Sequence, residues 1–241
     1  MGLGVRNISI WAAKLALALL VLLVVAILAM RWLPPPTSAF MLRAELLAKE
    51  KGLEDFSLHQ QWVGLKDIAP AAGLAVVAAE DQRFFGHYGF DFDAMVSAYK
   101  RNLGGRHIRG GSTLSQQTAK NLFLYPARSL LRKGLEAGVS ELLELLWPKA
   151  RILEVYLNIA QFGDGIYGVQ AASLAFFGKP AKRLEPAEAA LLAAVLPNPV
   201  KLRVDRPSGY LLKRRDWILR QMRQLGERLY PPELRTLADK V

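Results

Sequence analysis

The sequence predicts a mainly α-helical protein, with an N-terminal transmembrane helix followed by one helical domain. Three observations predict it. Leu15 to Met30 is an unbroken run of sixteen apolar residues. Beyond about Phe40, apolar residues recur at three- and four-residue spacing. No stretch sustains the strict alternation of a half-buried strand.

The first element is the anchor. Widening the apolar run to Ile8–Leu33 adds only Ser9, Lys14 and Arg31 as polar residues. A bilayer span needs roughly 20 residues, and long basic side chains reach back to the interface at its ends. Trp11 and Trp32 stand where interfacial aromatics belong, and Pro34–Pro36 stops the helix. A cleaved signal peptide would have a shorter apolar core and a small-residue cleavage site, so an uncleaved anchor is the expectation. Basic residues flank the span on both sides and orient it weakly. We expect residues 1–36 to be anchor and proline stop. Residues 37–241 then form an extracytoplasmic domain, single-pass in the cytoplasmic membrane.

Later helices follow in order. Pro70–Asp81 is apolar on all sides, as a buried helix is. Gly134–Trp147 repeats Leu135, Val139, Leu142 and Leu146 as an apolar stripe and ends at Pro148. On that wheel Glu136 lies on the flank of the stripe, while Glu141 and Glu144 point to the polar side. Arg151–Ala160 runs into a glycine loop, Pro186–Leu196 opens with proline, and Ser208–Leu225 precedes Gly226. Asn102–Ser112 holds four glycines and reads as a loop.

Composition narrows the chemistry. A hydrophobic fraction of 52% excludes a disordered chain. Cysteine is absent, which removes disulfides, thiol nucleophiles and Cys-zinc sites. His59, His87 and His107 lack the spacing of a zinc hydrolase. The net charge of +11 calls for an anionic partner. Most of it lies between Arg83 and Lys133, where nine basic residues face two acids.

Glu80 and Glu136 bracket that basic segment. Glu80 closes an apolar helix, where burial and the negative end of the helix dipole both disfavour its charge, as suits a proton-transferring group. An ion pair of Glu80 or Asp81 with Arg83, or of Glu136 with Arg132, is the plainer reading of the same residues. Two inward carboxylates in a helical domain suggest glycosyl chemistry. Between them, Arg109–Asn121 (RGGSTLSQQTAKN) offers glycines for close approach, the hydrogen-bonding side chains Ser112, Gln117 and Asn121, and Lys120 with the later Arg128 as charge for a phosphate. The P-loop pattern is missing.

These segments resemble glycosyltransferase family 51, the peptidoglycan transglycosylases, and among them the monofunctional biosynthetic ones. The resemblance rests on AAEDQRFFGHYGFD at Ala78–Asp91, RGGSTLSQQTAKN, RKGLEA at Arg132–Ala137, and RILEVYLNIAQFGDGIYGVQAAS at Arg151–Ser173. It covers about Val63 to Arg203, with Ser115 where threonine is commoner. It implies a lysozyme-like helical lobe with a small membrane-facing jaw, much of it in Tyr99–Arg128. The implied substrate is lipid II, polymerised into glycan strands by inverting transfer to the GlcNAc 4-hydroxyl, with release of undecaprenyl pyrophosphate. Glu80 falls on the general base and Glu136 on the second catalytic glutamate. Asp81, Ser112, Gln117, Lys120, Asn121, Arg128 and Arg132 fall on substrate-binding positions.

The resemblance admits a divalent metal at the pyrophosphate without supplying a protein ligand for it. Expected partners are lipid II, the growing strand, the membrane and other cell-wall synthesis or division proteins, and no nucleic acid. Glu154 matches the family pattern, and with Arg151 and Asn158 as polar neighbours it reads as structural. A lytic glycan-cleaving enzyme would need no pyrophosphate site, and a non-catalytic scaffold would have no need of either glutamate.

Overall fold

The computed structural model describes residues 2–103, 111–125 and 129–226. The protein is mainly helical. Helix α1 (Gly2–Ala29) contains a 20-residue stretch, Ile10–Ala29, apolar and long enough to cross a membrane. Near its N-terminal end Lys14 lies over the Trp11 ring at 5.0 Å, and just past its C-terminal end Arg31 lies over the Trp32 ring at 5.3 Å. The helix ends before the prolines, at Ala29, and a turn through Leu33 leads to α2 (Ala39–Glu50). The buried Ser38 caps α2 through its hydroxyl oxygen.

The core is built on α3 (Pro70–Glu80), α9 (Pro186–Val195) and α10 (Gly209–Leu225), which pack on one another. Both α3 and α9 open with proline and are rich in alanine, so their backbones approach closely. Ala75, Ala78, Ala190, Ala193 and Ala194 are fully buried at the contact. Asp81 falls just outside α3 as its C-cap, one residue short of the expected end. Helix α4 (Phe92–Leu103) follows the first motif segment.

A second layer comprises α5 (Leu114–Phe123) packed on α6 (Leu130–Leu146) and α7 (Lys149–Ile159). Helix α5 starts with a reciprocal cap between Thr113 and Gln116. After α7 come β2 (Gln161–Gly163), β3 (Ile166–Tyr167) and α8 (Val169–Phe177). Strand β3 lies between β2, antiparallel, and β1 (His59–Gln60), parallel. At two or three residues each, these strands are too short to leave an alternating pattern. The side-chain amide of Asn158 binds both the N–H and the carbonyl of Val63 at 2.9 Å, fastening this corner to α7. Gly168, at φ 80°, lets the chain pass the Asn158 carbonyl, where a Cβ would sit at 2.7 Å.

Of the expected stripe of α6, Val139 is buried and Leu142 and Leu146 pack against the core, while Leu135 is exposed. The buried face of the helix is Glu136, Val139, Ser140, Leu143 and Glu144, whereas Leu131, Leu135 and Leu145 are exposed on the other side. Glu144 is therefore internal, where it accepts from the Ser115 hydroxyl and pairs with Lys149 at 2.6 Å. Hydrophobic spacing alone puts Leu135 inward and Glu144 outward, because it assumes water on the far side of the helix. The internal partners Ser115 and Lys149 reverse this for Glu144.

Candidate active site

Glu80 stands at the C-terminal end of α3 with its side chain nearly buried. One carboxylate oxygen accepts from the Gln117 amide at 3.0 Å, and the other faces the Arg214 guanidinium at 3.5 Å. The Gln117 amide is oriented from behind, where the buried Tyr156 hydroxyl donates to its oxygen at 3.1 Å. Burial, and then the charge of Glu80, push the Tyr156 phenol well above its ordinary value, so it remains a donor and keeps the Gln117 N–H₂ turned toward Glu80.

Glu136 is 2% exposed, and both of its oxygens meet cations. Arg132 donates to one at 2.5 Å, and Lys133 donates to the other. The pair with Arg132 that the spacing allowed is therefore present, joined by a second cation. The Lys133 ammonium also reaches the Ser112 hydroxyl at 3.4 Å. Arg132 Nε is buried and has no hydrogen-bond partner among the described residues.

Gln117, Lys120 and Asn121 share the single less-buried face of α5, because residues three and four apart align on a helix. Lys120 links the two glutamates. Burial pushes its ammonium below the ordinary lysine value, opposed by attraction to Glu136 and, more weakly, to Glu80. Arg132 and Lys133 push it further down. Its ammonium lies 5.6 Å from the Phe40 ring and has no protein hydrogen-bond acceptor among the described residues. Asn121 is half-buried beside it.

Asp81 faces away from this surface. It is buried, holds His87 Nε2 at 2.9 and 3.1 Å, and accepts from the Leu114 N–H at 2.9 Å. It thus joins the end of α3 to the start of α5, fixing Glu80 relative to Gln117 and Lys120. Its ion-pair candidate Arg83 binds Asp91 and Asp93 instead. Arg128 lies outside the described residues, as does most of the glycine-rich loop. Glu154 pairs with Arg151 at 2.6 Å, while Asn158 bonds its backbone carbonyl rather than its carboxylate.

The residue that sequence reasoning missed is Arg214. It interrupts the buried stripe Leu211, Ile218, Met222 of α10, and a charge at a core-facing position was the available signal. It also donates to the Ala194 carbonyl at 3.2 Å, tying Glu80 to α9.

Taken together, Lys120 interacts with a carboxylate, Glu80, and with a cluster of two cations and one carboxylate that keeps a net positive charge. This suits a reaction that removes a proton at one end and gathers negative charge at the other. No three His, Asp or Glu side chains gather among the described residues. The oxygens of Glu80 and Glu136 already face donors, so these residues do not by themselves form a metal cage.

Comparison with known proteins identifies the family. The chain is 59% identical over 194 residues to a biosynthetic peptidoglycan transglycosylase of Klebsiella oxytoca, covering 80% of each chain. It is 53% identical over 215 residues to one from Cronobacter sakazakii, 89% of each. A third, from Yersinia pseudotuberculosis serotype O:3, is 49% identical over 231 residues, 95% of this chain and 96% of that one. The family model described as transglycosylase matches residues 49–223, a range that takes in most of α10, Arg214 included, beyond the motif segments. The chain belongs to the transglycosylase family.

Proposed function

We propose that this enzyme of peptidoglycan glycosyl transfer polymerises lipid II into glycan strands at the outer face of the bacterial cytoplasmic membrane. The acceptor 4-hydroxyl gives its proton to Glu80 as its oxygen bonds to the donor's anomeric carbon. The bond from that carbon to the pyrophosphate oxygen breaks, configuration inverts, and undecaprenyl pyrophosphate leaves with the electron pair. Lys120, Arg132 and Lys133 offer positive charge to the leaving group, and Glu136 holds the latter two in place.

The observation that carries this reading is Lys120, a half-buried ammonium in electrostatic reach of both glutamates and without a hydrogen-bond acceptor among the described residues. A partly buried charge without a hydrogen-bonded counter-ion is costly unless a ligand completes it, and a pyrophosphate would supply that counter-charge. The exposed Leu131, Leu135 and Leu145 support apposition to lipid, since an outward leucine face suits a hydrocarbon boundary better than water.

The test is incubation of the full-length protein with labelled lipid II, separating polymer from monomer. Polymer together with free undecaprenyl pyrophosphate is expected. Release of fragments from purified sacculi without consumption of lipid II would instead identify a lytic enzyme.

A further inference from the structure

The end of α1 is built into the catalytic lobe. Ile27 is fully buried, and its carbonyl accepts from Trp147 Nε1 at 2.7 Å. The Met30 carbonyl accepts from Arg151 Nε at 3.0 Å and Nη2 at 2.8 Å, and the Leu33 carbonyl from Nη2 at 2.5 Å. In return Arg31 donates to the carbonyl of Leu146, the last residue of α6, at 2.6 Å. Arg151 is buried, paired with Glu154, and set between the Trp62 and Trp147 rings at 5.1 and 6.0 Å.

The last carbonyls of a helix have no partner within it and carry the negative end of its dipole. Here the ends of α1 and α6 each receive their missing donors from the other's side. The guanidinium suits this task because its planar fork can bond several acceptors at fixed angles, which a lysine ammonium cannot. A tether that merely concentrated the enzyme at the membrane would need none of these bonds.

We propose that Trp147, Arg151 and Arg31 lock α1 to the lobe as a rigid strut, setting the height and tilt of the cleft over the bilayer. The proposal rests on the reading of α1 as a retained bilayer span. Arg151 and Trp147 are positioning residues that act through α1. Their effect falls on substrate held in a bilayer and spares substrate dispersed in detergent, which approaches from any direction.

The chain's lack of cysteine allows specific labelling. Spin labels on Leu19→Cys in α1 and Lys201→Cys in the lobe, both exposed, report their distance in lipid nanodiscs. One narrow distance is expected in the otherwise unaltered protein, and a broad distribution in Trp147→Phe/Arg151→Met. Turnover of nanodisc lipid II should fall about tenfold or more in that variant, while turnover in detergent stays within a factor of about two.

A broad distribution in the parent, or an equally narrow one in the variant, overturns the strut. So does a membrane-isolated protein whose mass lacks α1. Should the double variant fail to fold, Arg31→Ala, which removes only an exposed side chain, serves in its place. Broadening there supports the proposal and an unchanged distance refutes it. A parent that shows the narrow distance but makes no polymer would overturn the glycosyltransferase reading and leave the strut standing.

Discussion

Replacing Glu80 with glutamine separates chemistry from structure. The amide oxygen can keep the bond to Gln117 Nε2, now 3.0 Å long, because Tyr156 holds that amide in orientation. The new N–H₂ then faces Arg214, whose contact with the carboxylate is already long at 3.5 Å. Arg214 keeps the Ala194 carbonyl and is open enough to bind water, so the loss resembles that of a surface pair, about 1 kcal/mol or less. For a domain of this size that lowers Tm by no more than about 4 °C. The chemical loss is larger. Removing a general base costs roughly 10²–10⁴ in rate, about 3–5 kcal/mol of barrier. The assay is the initial rate of polymerisation of labelled lipid II, beside thermal unfolding and lipid II affinity of the same preparations. The expected result is a folded variant that binds lipid II and polymerises it at least about a hundredfold more slowly. A folded variant turning over near the parent rate would refute the assignment of Glu80 as base.

Four further outcomes follow, two at Lys120 and two elsewhere in the fold. Because burial lowers the Lys120 titration, its charge is lost on the acid side of 10.5, so donor use should decline there as pH rises and Lys120→Arg should remove that limb of the kcat/KM profile. Over the same interval the unfolded chain binds the extra proton, so the lysine's contribution to folding stability rises with pH, as unfolding followed at several pH values would check. Glu144→Gln leaves Lys149 without its internal counter-charge and should cost about 3 kcal/mol, on the order of 10 °C in Tm by scanning calorimetry. Gly168→Ala puts a Cβ 2.7 Å from the Asn158 carbonyl at a positive φ, and should destabilise by more than about 2 kcal/mol in urea unfolding while leaving the residues of the cleft in place.

The sequence by itself determined the helical class, the long apolar N-terminal helix and the segments that surround the cleft. These are local properties. An unbroken apolar run, a proline at a helix start, or Gln117, Lys120 and Asn121 at three- and four-residue spacing can be read within a few turns of chain. Tertiary structure alone decided that Glu144 joins Glu136 inside and that Leu135 stays out, because hydrophobic patterning assumes water on the outside and cannot supply Ser115 and Lys149 as internal partners. It also showed that Asp81 bonds His87 and the start of α5. The pairing of Glu80 with Arg214 spans 134 residues, and the contacts of Arg151 with Met30 and Leu33 span 121 and 118. No local spacing encodes such contacts. They form because packing α3, α9 and α10 on one side and α1, α6 and α7 on the other leaves buried carbonyls and charges that must find partners across the fold.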